Sequence, residues 1–185
     1  AGDTNNLPTL LRPSMNQRIA YFAGGKNLLE TVHALNFVVG AQAAVEHEAT
    51  MGRIYFVTDD EPVASGNFSN EILVACGLEA NKRSLPAALG RALAWSGKRN
   101  SKGSPILTRS SFLYMVRDQV LSDARFRDDT AYCAPVSRVE GLEDLRLWCE
   151  YVGGPGEVAV GRRRGDSRSL VEKTWDYLLN RSELI

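Results

Sequence analysis

The chain has 185 residues, a length that suits one ordinary domain with its own hydrophobic core. Its 22 basic and 22 acidic side chains cancel to a formal charge of zero, which argues against the basic surface that nucleic acid or an anionic membrane would require. No apolar run approaches the roughly 20 residues of a bilayer-spanning helix, and the N-terminus has no signal-peptide pattern, so we expect a soluble, cytoplasmic protein.

The first part of the chain predicts two helices and one apolar strand. Leucines at helical spacing near the N-terminus predict a helix that Pro13 limits to about two turns. Small apolar residues from Leu35 to Glu48 are typical of a helix lying closely on a sheet. The β-branched and aromatic residues at 53–58 predict a buried strand. Three carboxylates follow this strand directly: Asp59, Asp60 and Glu61.

Further along the chain, glycine and proline mark the ends of helices. Gly77 stops a helix that has its inner stripe at 68–75, and Pro86 starts another that ends before Gly97. Residues 98–104 are expected to form a loop. A later helix contains Leu142 and Trp148 and ends at the glycine pair 153–154.

These elements suggest a main region at 1–152, a flexible joint at 153–168, and a C-terminal helix at 169–185 that opens with a capping box. Three widely spaced cysteines carry no metal or redox motif and are expected to be buried free thiols: Cys76, Cys133 and Cys149. One strong strand among many helices is too little for a complete α/β domain. The chain is therefore either mostly helical or part of something larger.

Several blocks of sequence, in order, resemble a known family. They read GDTNNLPTLL, GGKNLLETVHALNFVVGAQAAVE, GRIYFVTDDEPV, SLPAALGRALA, PILTRSSF and VEGLEDLRLW. The chain resembles the C-terminal half of the 3β-hydroxysteroid dehydrogenase and sterol-4α-carboxylate 3-dehydrogenase (decarboxylating) family, which are extended short-chain dehydrogenases. The resemblance implies an α/β fold class, with a late strand of the Rossmann sheet and a mainly helical substrate lobe, but without the N-terminal nucleotide-binding half.

The resemblance also implies a place for the carboxylates after the strand. Strand 53–58 would be a late strand of the dinucleotide-binding sheet, so Asp59, Asp60 and Glu61 would lie at the rim of the ligand cleft. The alternative is that they cap the turn and helix that follow.

The family's cofactor and catalytic motifs have no counterpart in this chain. Gly24–Gly25 and the run 153–161 lack the strand-turn-helix context of a pyrophosphate loop. None of the six tyrosines has a lysine four residues later. We therefore expect no cofactor for the chain alone, NAD(P) only if the missing half is supplied, and no metal site.

Candidate catalytic residues without a cofactor are a histidine and nearby carboxylates. His33 follows Glu30 by three residues, so the two would share a face if that segment is helical, and Asp59 and Glu61 complete the set. Candidate substrate-binding residues are aromatic or match the family block LTRSS: Trp95, Arg109, Phe112, Tyr114 and Trp148.

Three functions remain open at this point. The chain could be the inactive substrate-binding half of an NAD(P)-dependent sterol or steroid dehydrogenase. It could instead be a cofactor-independent isomerase or cyclase of a terpenoid or steroid-like substrate, or a non-catalytic binding or dimerisation module. Expected partners are a lipophilic small molecule and either a second copy or a complementary dehydrogenase half, because an unpaired strand edge invites pairing.

Overall fold

The computed structural model describes residues 6–59, 61–97, 103 and 107–160, and this part of the chain is mixed α/β and mostly helical. Its helices are α1 (Asn6–Met15), α2 (Ala34–Glu46), α3 (Ser65–Ala75), α4 (Ala87–Trp95), α5 (Arg109–Val116), α6 (Ala124–Thr130), α7 (Arg138–Tyr151) and α8 (Pro155–Val160). Its strands are short: β1 (Tyr21–Phe22), β2 (Leu28–Leu29), β3 (Val63–Ala64) and β4 (Ser84–Leu85).

The chain folds as two compact units, each built from separated stretches of sequence. The helical unit contains residues 6–20, 69–83 and 142–160, and the mixed unit contains residues 21–68 and 84–141 among those described. The predicted division into 1–152, 153–168 and 169–185 stays a prediction.

A single apolar cluster forms the core of the helical unit. Trp148 is completely buried in it, together with side chains from α1, α3, α7 and α8 and from the residues directly after α3 and α7: Leu7, Leu11, Leu73, Cys76, Cys149, Val152, Val158 and Ala159. The Arg12 guanidinium donates hydrogen bonds to the carbonyl oxygens of Ala159 and Val160 at 2.8 and 2.9 Å, which satisfies the last carbonyls of α8.

Two small sheets lie in the mixed unit. Strand β1 pairs in parallel with β4, and β2 pairs antiparallel with β3. An isolated parallel bridge joins Leu29 to Gln119. These two-residue strands were not predicted, because so short a stretch carries no detectable alternation of apolar and polar residues.

Several helix boundaries agree with the sequence signals. Helix α3 ends two residues before Gly77, which has a φ of 78°, and α4 begins directly after Pro86 and ends before Gly97, whose φ is 64°. Helix α7 begins with a capping box that was not predicted, in which the Ser137 N–H donates to Glu140 Oε2 at 2.8 Å. Local signals were sufficient at these positions because caps and stops depend on neighbouring residues.

The predicted buried strand at 53–58 is wrong for this chain. No strand pairing is assigned to these residues in the described structure, and Ile54 is 90% exposed. The β-forming residues are present, but the strands that would pair with them and cover them are not among the described residues.

Two further expectations differ from the structure. Helix α1 continues through Pro13 to Met15, so proline does not stop it after two turns. Residues 155–160, at the start of the expected joint 153–168, form α8 because Val158 and Ala159 pack into the apolar core. Residues 161–168, the predicted helix at 169–185 and most of the loop at 98–104 lie outside the described residues, as does Asp60.

Candidate functional site

Asp59 is the centre of a hydrogen-bonded cluster at the start of α2. Its Oδ1 accepts from the His33 backbone N–H at 2.9 Å and from Asn36 Nδ2 at 2.6 Å. Its Oδ2 accepts from Thr31 Oγ1 at 3.0 Å, and its own N–H donates to the Thr31 carbonyl oxygen at 2.8 Å. We call Thr31, His33, Asn36 and Asp59 the Asp59 cluster. The carboxylate caps α2, since negative charge is favourable at a helix N-terminus.

Asn36 extends this cluster to a second segment of the mixed unit. Its side chain is fully buried and donates to the Val136 carbonyl oxygen at 2.8 Å, while its Oδ1 accepts from the Val136 N–H at 2.9 Å. The Tyr132 hydroxyl donates to the Asn36 carbonyl oxygen at 3.0 Å. Asn36 therefore ties together three parts of the chain, and its burial makes each bond costly to lose.

The structure changes the expected roles of the candidate catalytic residues. Glu30 and His33 precede α2, which begins at Ala34, so they do not share a helical face. His33 is the N-cap of α2, and its Nδ1 accepts from the Leu35 N–H at 3.4 Å. Glu61 is exposed, and the carboxylate of Asp59 is used in capping. The condition that Glu30 and His33 share a helical face is therefore not met, and the catalytic role of the set stays a prediction.

Residues 53–59, which we call the docking segment, are held at their first end by α6. Asp129 Oδ2 accepts from Arg53 Nη1 at 3.0 Å and from the Tyr55 hydroxyl. The hydrogen bond from Tyr55, with the charge of Arg53, lowers the pKa of Asp129. The Tyr55 ring packs on Phe126, with the ring centroids 5.3 Å apart.

One side of the docking segment faces inward and the other is exposed. Val57 lies against α2 at Gly40, where a Cβ would come within 2.9 Å of Val57 Cγ1. Ile54 and Phe56 are 90% and 52% exposed. The outer face of α2 is also apolar and exposed, with Phe37, Val38 and Val45 on it. A helix that is apolar on most of its surface is usually covered.

A second group of candidate residues lies where α4 meets α5. The Arg109 guanidinium carbon lies 5.1 Å from the centroid of the Trp95 ring, and this ring stands edge-on to Phe112 at 6.1 Å. Phe112 is buried against Gly90 and Phe22. Trp95 is 44% exposed, so it offers an accessible aromatic surface with a cation beside it.

The other two aromatic candidates do not join this group. Tyr114 is on α5 and mostly exposed. Trp148 belongs to the helical unit and is enclosed by its apolar core, so it has no surface for a ligand. Its assignment as a substrate-binding residue stays a prediction, but the structure gives Trp148 a packing role, which an aromatic residue in a sequence does not reveal.

The glycine runs of this chain do not fit a dinucleotide. Gly25 has a φ of 62°, and a Cβ there would lie 2.7 Å from Gly66 Cα, so this glycine permits two backbone segments to approach. Gly153 and Gly154 follow a helix, and the Gly154 N–H donates to the Cys149 carbonyl oxygen at 2.7 Å. Both runs have structural roles in turns rather than the shape of a pyrophosphate loop.

Neither a membrane-spanning helix nor a cluster of metal ligands is found among the described residues. Among the helices described above, none has the length and apolar character needed to cross a membrane. Within the same residues, histidine, cysteine and carboxylate side chains do not gather in groups of three or more that could hold a metal ion.

Sequence reasoning missed Asn36 and Asp129, which make the most extensive contacts near the docking segment. Asn36 carries a weak signal, since it is a polar residue in the first turn of an otherwise apolar helix. Asp129 carries no signal of its own because its partners, Arg53 and Tyr55, are more than 70 residues away.

Comparison with curated proteins confirms the resemblance. The chain is 30% identical over 169 residues to a 4-hydroxy-2-methyl-3-oxo-4-farnesyl-3,4-dihydroquinoline-1-oxide ketoreductase from Stigmatella aurantiaca, a match covering 88% of this chain and 49% of the relative. It is 28% identical over 132 residues to the decarboxylating sterol-4-alpha-carboxylate 3-dehydrogenase of Dictyostelium discoideum, covering 68% of this chain and 40% of the relative. The chain thus spans about half or less of the length of these curated relatives.

A shorter match and a solved structure agree with this picture. The sterol-4-alpha-carboxylate 3-dehydrogenase of Bos taurus is 31% identical over 89 residues, covering 45% of this chain and 25% of that protein. The crystal structure of gox2253 superposes with a TM-score of 0.60 at 17% identity, covering 80% of this chain and 44% of that one, which shows a shared fold. No protein-family model matches the chain.

Proposed function

We propose that this chain is the substrate-binding half of an NAD(P)-dependent oxidoreductase that acts on a lipophilic, sterol-like or prenylated substrate, and that it is inactive until a nucleotide-binding half is supplied. The observation that carries this proposal is the match of most of this chain to about half of a ketoreductase. The names of the relatives describe a farnesylated quinoline oxide and a sterol carboxylate as substrates. Both substrates combine a ring system with a large apolar part.

The docking segment supports the proposal that a half is missing. Within the described part of the chain, residues 54–57 take part in no backbone–backbone hydrogen bond. Buried or partly buried backbone groups are rarely left without partners. A late strand of a Rossmann sheet would meet its neighbouring strand in the other half, and the exposed face of α2 would be covered at the same time.

Trp95 and Arg109 are the substrate-binding residues that the geometry favours. The exposed part of the Trp95 ring would stack on an apolar ring system, and the guanidinium above it would pair with a carboxylate or another polar oxygen of the substrate. Phe112 packs edge-on against Trp95 and is itself buried.

The chain's own residues do not supply hydride transfer. The bound dinucleotide would carry the hydride, and the other half would hold it, since the glycine runs here do not fit its pyrophosphate. This half would orient the substrate ring through Trp95 and its anionic or polar end through Arg109. Its contribution to catalysis would be positioning of the substrate.

Reconstitution tests this function. The 185-residue chain is mixed with the part of the Stigmatella aurantiaca ketoreductase that it does not match, and oxidation of NAD(P)H with a lipophilic ketone is followed. We expect turnover by the mixture and none by either half. In the mixture, Arg109→Met should raise KM about tenfold for a substrate with a carboxylate, as expected for one lost charge-assisted bond. The exposed Arg91 on α4 provides a matched control, since Arg91→Met should leave KM unchanged.

A further inference from the structure

The docking segment has no ladder of strand hydrogen bonds among the described residues, so other contacts must hold it in position. Residues 54–57 make no backbone–backbone hydrogen bond within the described residues. In an ordinary sheet, that ladder fixes both the position and the register of a strand. Here side chains at the two ends of the segment replace it.

The first end is held by one carboxylate on α6. Asp129 accepts from both Arg53 and Tyr55, and the Arg125 guanidinium lies 5.6 Å from the Tyr55 ring centroid. Because Tyr55 is also packed on Phe126, its backbone cannot leave α6 without breaking a polar and an apolar contact.

The second end is held by the Asp59 cluster and by a buried carboxylate. Asp59 bonds three groups before and within the first turn of α2. Asp123 Oδ2 accepts from the Thr58 N–H at 3.4 Å and pairs with Arg127 Nη2 at 2.9 Å. The last two residues of the segment are therefore attached to both α2 and α6.

The two anchors also set which side chains point outward. With Tyr55 and Val57 packed inward, Ile54 and Phe56 face solvent, an alternation typical of a strand with one face buried. The exposed side chains are apolar, and the backbone between the anchors has free hydrogen-bonding groups within the described structure. Such an edge fits another strand with apolar side chains.

We propose that Asp129 and Asp59 are positioning residues that hold the docking segment as a preformed sheet edge, ready for a strand of the nucleotide-binding half. This inference rests on the proposed function for the identity of the partner. That partner is favoured over a second copy because the chain matches 49% of the ketoreductase and the remaining half of that relative is available to supply the strand. A preformed edge binds faster than one that must order during binding.

Association kinetics test the anchors. The 185-residue chain is immobilised, and the part of the Stigmatella aurantiaca ketoreductase that it does not match is used as the probe. We expect Asp129→Ala to lower the association rate constant about tenfold, because the competent conformation becomes a minor state. Tyr55→Phe, which keeps the ring on Phe126, should lower it by a smaller factor. The exposed Asp128 on the same helix gives the control, and Asp128→Ala should bind like the unaltered chain.

The outcomes separate this inference from the proposed function. If Asp129→Ala and Tyr55→Phe associate as fast as the unaltered chain, while the mixture of the two halves still oxidises NAD(P)H, the positioning role of the anchors is overturned and the proposed function stands. If the unaltered chain does not bind the probe, both are overturned. If the chain instead forms a dimer that Phe56→Lys abolishes, a second copy occupies the edge and the choice of partner is wrong. Circular dichroism confirms that each variant is folded.

Discussion

Replacing Asp59 should destabilise the mixed unit far more than replacing another aspartate. Asp59→Ala removes the acceptor for three donors, including the Asn36 amide, which is fully buried. The lost helix cap costs about 1 kcal/mol. The buried amide proton left without an acceptor costs about 1–3 kcal/mol, and the hydroxyl of Thr31 adds about 0.5–1 kcal/mol. The expected loss is therefore about 3–4 kcal/mol of unfolding free energy.

Two companion variants sharpen this prediction. In Asp59→Asn, the amide oxygen can still accept from His33 and Asn36, and the new NH2 can donate to the Thr31 hydroxyl. The loss should fall to about 1 kcal/mol because only the charge is removed. Asp128→Ala, at an exposed position on α6, should change stability by less than about 0.5 kcal/mol.

Urea unfolding followed by circular dichroism measures all three variants, and the slopes should be equal so that midpoints can be compared. A loss below about 1 kcal/mol in Asp59→Ala would show that the cluster does not cap α2 as described. Equal losses in the alanine and asparagine variants would show that the charge, and not the three bonds, is what matters.

Three further predictions concern packing, thiols and pH. Gly90→Ala places a Cβ 2.5 Å from the Phe112 ring and should cost about 1–3 kcal/mol. Gly156→Ala, at a position where no described atom lies within 4 Å of the new Cβ, should stabilise by up to about 1 kcal/mol in the same urea assay. All three thiols were expected to be buried, but Cys133 is exposed, so it should react with a disulfide reagent in the folded protein while the two buried ones stay protected, as counted by mass spectrometry. Burial opposes ionisation of Asp123, but its hydrogen bond and ion pair with Arg127 outweigh burial and lower the pKa of Asp123. The carboxylate therefore stabilises the fold above its unfolded pKa, and this stabilisation is lost as pH falls through the folded pKa. In Asp123→Asn, the free energy of unfolding should fall less steeply as pH is lowered through that range.

The sequence was most informative where structure depends on neighbouring residues. The stops near Gly77 and Gly97 and the start after Pro86 follow from backbone conformations that these residues favour. The segment at 53–58 shows the limit of such reasoning. Its residues have a real preference for strands, but a strand needs partners, and these are not in the described part of the chain.

The candidate site was less predictable because its contacts are distant in sequence. Asp59 was expected at a cleft rim or as a cap of the helix that follows it, whereas it caps α2, which precedes it by more than ten residues. Trp95 and Arg109 were both named from sequence, but only the fold shows that they touch each other and that Trp148 does not share their unit.

Native mass spectrometry of the reconstituted halves tests the central proposal most directly. The chain alone, the complementary half of the Stigmatella aurantiaca ketoreductase and their mixture are each titrated with NAD+ and NADP+. We expect no dinucleotide on the chain alone and a complex of one copy of each half with one dinucleotide in the mixture. A dinucleotide bound to the chain alone, or a mixture in which the halves never associate, would contradict the proposal that this chain is the substrate-binding half of a divided oxidoreductase fold.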